Sequence, residues 1–366
     1  MANNTTLYEV VKEYQNSNCD AVFSENDLFC IEMHDGTPCY VSVVENALAG
    51  YLGEKGITGY LRLCFQDPEA PFLQKAELEN SQECFIVTLN NSEEDLEKED
   101  MQAMNESGVS FDLEKYPLFR IKRQYHFPWF LTKEDEEDLL LMFQGILFAK
   151  NYFAQFGKIS RTNSLNPWLE SLGLEDGSSK EYFPYLKKEA DGFSVSAREL
   201  SDDDYGVVFP QAHMNNEEKR IQYKTMKAKP GKVLYYATFL YPEPFKPSKG
   251  SVPVFPVVSM IFDPQKHELL DLFMVDDYEE DHIKCISRLL EVIEQVGKPQ
   301  ALHCFGERSF PLLSKLGEQI GIKVMQGKRD AELEALMQEF VFQGSEEDQH
   351  VHGPDCSCDH HGSSHD

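Results

Sequence analysis

The last seventeen residues hold the chain's densest set of metal-ligating side chains: His350, His352, Cys356, Cys358, His360, His361 and His365. Five of the eleven histidines and two of the nine cysteines fall there. Imidazole and thiolate are the ligands that zinc, nickel and copper prefer, and a flexible stretch can wrap four of them round one ion. Asp355 and Asp359 add negative charge that favours a cation. The spacing is H-x-H, then C-x-C, then H-H, which is not that of a structural zinc finger. The expectation is therefore zinc or nickel held by a flexible tail, not a preformed fold element.

Elsewhere the chemistry is sparse. Gly50, Gly53, Gly56 and Gly59 recur at every third position in GYLGEKGITG. The run matches neither G-x-G-x-x-G nor a Walker loop, so turns beside a helix end are expected instead of a phosphate cradle. The acidic cluster at 201–204 lacks the alternation of an EF-hand loop. Arg120, Lys122 and Arg123 form a local basic face, and the acidic stretch before them suggests ion pairing over phosphate binding. His126 in YHFPWF reads as structural, and His213 has no ligand partner at a useful spacing. His303 and Cys304 are adjacent within a strand-like run, so they point to opposite faces and cannot form a dyad. No G-x-S-x-G, H-E-x-x-H or C-x-x-C occurs. No catalytic or cofactor-binding residue is assigned.

The remaining composition bounds the class. Sixty-three acids against 34 bases give a net charge of −29 over 366 residues. A field of that sign repels phosphate backbones and anionic membranes, so nucleic acid and membrane partners are disfavoured and a protein partner is left open. The hydrophobic share is 41% and aromatics are 12%, which is ample for packed cores. No basic stretch leads into an apolar one at MANNTTLYEVVKEYQ, and no run of about 18 apolar residues exists, so neither a signal peptide nor a membrane span is expected. The scattered cysteines suit reduced thiols and a cytoplasmic location.

The elements that would position any chemistry fall in two halves. Thr5 or Thr6 caps a first helix to about Asn16, and Asp27–Met33 and Cys39–Val44 form a hairpin about Asp35-Gly36. Tyr60–Phe65, Cys84–Leu89 and Leu118–Tyr125 read as strands. Ser92 opens an acidic helix, and Thr132 opens a long apolar one, Leu139–Phe156. The runs FCIEMHDGTPCYVSVVENALAGYLGEKGITGYL and FRIKRQYHFPWFLTKEDEEDLLLMFQGIL resemble an uncharacterised bacterial two-domain family of unknown function. The resemblance covers most of 1–157 and, more loosely, 225–342. It implies domain boundaries and a bacterial source, and no chemistry. The expected division is an α+β domain with an antiparallel sheet and one long buried helix at 1–157, a connecting region of mixed structure at 158–229, a second domain at 230–342, and a disordered His/Cys-rich tail at 343–366. In the connecting region NPWLESLG and EYFPYLKK read as short helical or turn pieces.

The second domain has the most specific order. Val233–Tyr241, Val254–Phe262 and Leu269–Val275 read as three antiparallel strands, followed by helix Glu279–Val296, strand Ala301–Phe305, helix Phe310–Ile320, strand Ile322–Met325 and helix Ala331–Phe340. This βββαβαβα order resembles the ribonuclease H fold. That family's two-metal nucleases place acids on the first strand, the first helix, the end of the fourth strand and the last helix. Here the first strand, VLYYATFLY, has none. Glu307 follows the fourth strand, Glu279, Glu280 and Glu291 lie on the first helix, and Asp330, Glu332 and Glu334 lie at the last.

The tail also begins like the C-x-C of a secretion-associated zinc motif of some bacterial C-termini, but lacks its second cysteine pair. It looks more like the His-rich metal-loading tails of bacterial proteins. The favoured reading is a non-catalytic cytosolic interaction protein with a metal-binding tail. One alternative is a divergent metal-dependent nuclease or phosphoryl-transfer enzyme, which needs Glu307, Glu280 and Glu332 or Asp330 within about 4–6 Å. The other is a metal chaperone or storage protein. Whether the chain is an enzyme stays open, with the balance against it.

Overall fold

The computed structural model of the chain describes residues 6–19, 22–23, 28–156, 167–174, 181–200 and 206–347. Over these it is an α+β protein with two mixed sheets and ten α-helices. They form two units: Met1–Phe65, Ser81–Gln124 and Pro128–Val207, and Gln66–Asn80, Tyr125–Phe127 and Val208–Asp366. The seven tail residues expected to bind metal, and the acids at 201–204, lie outside the described residues.

The first half of the chain runs α1 (Leu7–Gln15), β1 (Leu28–Glu32), β2 (Pro38–Val44), β3 (Ala47–Leu52), α2 (Gly53–Cys64), α3 (Phe72–Asn80, part of the second unit), β4 (Cys84–Asn91), α4 (Lys98–Ser107), β5 (Tyr116–Lys122), α5 (Lys133–Phe153), α6 (Pro167–Ser171), β6 (Glu181–Glu189) and β7 (Gly192–Leu200). Local signals explain the best-defined of these. Thr6 and Glu9 close a capping box at α1, and Thr132 and Asp135 close another at α5. The β1–β2 turn is held by Asp35, whose carboxylate accepts from the Thr37 N–H at 2.8 Å, with Gly36 at φ +87°. Leu139, Met142, Phe143, Ile146, Ala149 and Phe153 of α5 are fully buried, as a long apolar helix requires.

Three expectations are corrected here. Tyr60–Phe65 is not a strand: Tyr60–Cys64 ends α2 and Phe65 caps it, and of the four glycines before it only Gly53, at φ +59° where the helix starts, has the positive φ expected of a turn. Gly56 and Gly59 lie inside the helix and form a face pressed against the chain at Ser81–Glu83. A Cβ on Gly56 would stand 2.6 Å from the Glu83 carbonyl oxygen. Gly56→Ala is therefore expected to lower stability by about 1–3 kcal/mol, as overpacking does, measured by urea unfolding of the full chain. Secondly, the acidic stretch is a short 3-10 turn, Glu93–Asp95, followed by the separate helix α4. Thirdly, EYFPYLKK is a strand. It extends the sheet, whose order is β5-β4-β3-β2-β1-β6-β7, and pairs parallel to β1. The expected antiparallel sheet is thus mixed. Pro184 precedes Tyr185, the first residue paired with β1, so its missing N–H is tolerated there.

The second unit follows the expected order. It contains α7 (Glu217–Thr225), β8 (Val233–Leu240), β9 (Val257–Asp263), β10 (Glu268–Val275), α8 (Tyr278–Val296), β11 (Ala301–Phe305), α9 (Ser309–Ile320), β12 (Lys323–Gln326) and α10 (Ala331–Glu347). The helix α10 runs past the expected tail boundary at 343. Strand order is β10-β9-β8-β11-β12, with β8, β11 and β12 mutually parallel and the β8–β9–β10 meander antiparallel. Alternation divides the faces. Tyr236, Leu240, Leu302 and Cys304 turn to α8 and α9, while Ala237, Phe239, Val258 and Phe262 turn to α10.

Candidate functional site

In the second unit the carboxyl ends of the central parallel strands, β8 and β11, adjoin the N-terminus of α9 and the start of α8. Gly306 makes the exit from β11 possible. Its φ is +82°, and a Cβ there would stand 2.0 Å from the Thr238 carbonyl oxygen. Thr238 lies on the same face of β8 as Tyr236, and its hydroxyl is 2.8 Å from that of Ser309.

Between these ends sits Arg308, only 1% exposed. Its Nη1 and Nη2 donate to the two carboxylate oxygens of Glu77, each at 2.5 Å, and Glu77 is itself buried on α3. The guanidinium lies over the rings of Tyr125 at 4.7 Å, Phe209 at 5.4 Å and Tyr278 at 5.4 Å. Burial works against its charge, and the Glu77 carboxylate overrides that and holds it above the ordinary arginine value. A fixed, neutralised cation in an aromatic shell therefore fills this end of the sheet.

The acids considered for a metal pair are not brought together. Glu280 is in the first turn of α8, directly after β10 ends beside Val257 and Leu240, where β8 finishes. Glu332 instead bonds His267 at 2.8 Å, in the β9–β10 turn beside the start of β8. The two ends of the eight-residue β8 are about 23 Å apart at about 3.3 Å per residue. Asp330 caps α10 through the Leu333 N–H at 3.1 Å and accepts from the Tyr235 hydroxyl at 3.4 Å, on the α10 face. Glu307 follows β11 at the Arg308 end. Among the described residues, no group of three or more His, Cys, Asp and Glu is placed to hold a metal ion.

The other sequence candidates resolve as structural groups. The His303 ring stacks on Tyr235 at 5.7 Å, while Cys304 is fully buried on the opposite face, its thiol pushed up to about 12 by burial. His126 forms a β-bridge with Val254, and His213 is exposed. Arg120 pairs with Asp100 of α4 at 2.7 Å, as the neighbouring acids suggested.

One further pair, in the first unit, joins residues too far apart in the chain for any short-range pattern to link them. A groove of about 590 Å³ there is lined by His34, Asp35, Glu54, Arg123, Asp135 and Asp138 among others. His34 Nδ1 is 2.7 Å from Asp138 Oδ1, while Arg123 is held by Asp135 at 2.7 Å. The His–Asp pair could move a proton, but among the described residues no hydroxyl or thiol is hydrogen-bonded to the ring.

No curated protein matches the chain significantly. Residues 219–341 match the family model described as a domain of unknown function, DUF6930. Residues 5–166 match a second domain of unknown function, DUF7309, so over these two stretches the chain is similar to two families that carry no assigned activity.

Proposed function

We propose that this protein is a non-catalytic, cytoplasmic interaction protein, with a ribonuclease H-like second domain that has lost its metal chemistry and a tail that binds zinc or nickel. The Arg308–Glu77 pair carries the non-catalytic part. A two-metal nuclease needs a cluster of carboxylates free to bind divalent ions at the ends of its central strands. At that place the buried carboxylate, Glu77, has both oxygens taken by the Arg308 guanidinium and offers neither to a divalent ion. The strand order β10-β9-β8-β11-β12 with parallel β8 and β11 supports the ribonuclease H-like reading of the domain. The seven described cysteines are all free, which suits a reducing compartment. No helix among the described residues is long and apolar enough to cross a membrane.

The tail reading rests on its ligand density alone. The full chain and a variant lacking 348–366 would each be dialysed against zinc or nickel, then assayed for bound metal. The full chain should retain metal and the shortened chain should lose it. Equal metal content in both would overturn the tail assignment. Cleavage of RNA–DNA hybrid, duplex or single strands with magnesium or manganese would overturn the non-catalytic reading.

A further inference from the structure

The outer edge of β7 is the most regular strand edge among the described residues. The β6–β7 hairpin keeps an unbroken register from Glu181↔Leu200 to Glu189↔Gly192. Its two-residue connection makes Glu189 and Gly192 a hydrogen-bonded pair, and the pattern then alternates. Ser194 and Ser196 turn their backbone groups to β6, while Phe193, Val195 and Ala197 turn theirs outward. Pro184, which has no N–H, faces Ala197, where the alternation asks β6 for no bond to β7. None of the outward groups of Phe193, Val195 and Ala197 has a backbone partner among the described residues.

The other three sheet edges are blunted, as edges of monomeric sheets are. In β10 the register breaks between Leu269 and Asp271. The strand β12 has four residues. At β5, Ile121 and Trp129 exchange N–H···O bonds of 2.8 and 2.9 Å that occupy part of the edge. By contrast, β7 has nine residues with no proline, lysine or bulge.

We propose that β7 is a self-pairing edge, through which two copies of this chain join antiparallel about a two-fold axis at Ser196 and double the seven-stranded sheet. The strand is complementary to itself in that register. The outward groups of Val195 meet those of Ala197 of the second copy, and the reverse. Ser196 meets Ser196, and Ser194 meets Arg198. No like charges oppose, whereas an axis at Val195 would set Glu199 against Asp191. The strand carries one arginine and one glutamate, so two copies of net charge −29 meet where each is locally neutral. Beside the edge, half-buried Phe193 and Phe148 lie 5.3 Å apart and Phe148 stacks on Tyr152, an apolar strip for the pairing to cover.

Sedimentation equilibrium of the full chain over a range of concentrations tests this, with EDTA present so that metal in the tail cannot bridge copies. A dimer is expected, and Val195→Pro should convert it to monomer with an unchanged far-ultraviolet circular dichroism spectrum, since only an outward N–H is lost. Ser196→Cys should give a disulfide-linked dimer on oxidation, because a non-hydrogen-bonded antiparallel pair sets its Cα atoms about 4.5 Å apart. The unsubstituted chain, with exposed Cys64, sets the background. A monomer throughout, or a dimer that Val195→Pro leaves intact, overturns the proposal, and neither outcome bears on metal binding by the tail.

Discussion

Arg308→Met is expected to destabilise the protein by about 3–5 kcal/mol, because it leaves the Glu77 carboxylate buried without its partner. Glu77→Leu should cost a similar amount for the converse reason. The double variant should recover most of either loss. The hydrogen bonds and the desolvation of both charges disappear together, and replacing a buried ion pair by apolar groups of similar size is often neutral. Full recovery is not expected, since methionine forfeits the attraction of a guanidinium to the Tyr125, Phe209 and Tyr278 rings, worth about 0.5–2 kcal/mol at a desolvated site. Urea unfolding of the three variants, followed by near-ultraviolet circular dichroism, gives the coupling directly. If the two single losses simply add in the double variant, the pair is not acting as a unit. None of the three should gain cleavage activity with magnesium, because removing the arginine supplies no missing carboxylate on β8.

That pair was also the feature least legible beforehand. Glu77 and Arg308 are 231 residues apart, and Glu77 reaches the second unit on a helix that lies within the first half of the sequence. Short-range patterns carry no information about such a meeting. The elements that were legible are those whose cause is local. The caps at Thr6 and Thr132, the Asp35-Gly36 turn, and the three-and-four spacing of Ile286, Leu289 and Ile293 in α8 each declare themselves within a few residues. The failures share a different cause, tertiary context overriding local preference. Tyr60 in α2 and Phe65 at its C-cap have strand-like chemistry, but the glycine face they follow is buried against Ser81–Glu83 and demands a helix. In β6, EYFPYLKK has no local strand signal, and its extended form is set by pairing with β1 and β7 on either side. The tail is the reverse case. Metal binding there is expected from composition alone, and the seven residues expected to take part lie outside the described residues.

Lys298→Met is expected to cost about 2–4 kcal/mol, because buried carbonyls left without a donor cost about 1–3 kcal/mol each and water can reach some of them. The Lys298 side chain is 3% exposed. Its Nζ donates to the carbonyls of Ile320 at 2.7 Å, Tyr223 at 2.9 Å and Lys224 at 3.4 Å. These lie in the last turns of α9 and α7, where carbonyls have no partner inside their own helix and a cation is favoured by the aligned peptide dipoles. Three ammonium donors meet three acceptors, a match that methionine, of similar length, keeps in volume and loses in polarity. The pH dependence has a definite sign. Burial holds the Lys298 amine below the ordinary lysine value, so between its folded and unfolded pKa the unfolded chain binds more protons. Stability from this group therefore rises with pH through that alkaline window, and the cost of burying the charge is fully present below it. Lys298→Met removes the rise. Its deficit against the unsubstituted chain should widen as pH increases through the window, measured by urea unfolding at a series of alkaline pH values. A deficit that narrows instead would mean that the helix carbonyls hold the charge more strongly than burial opposes it.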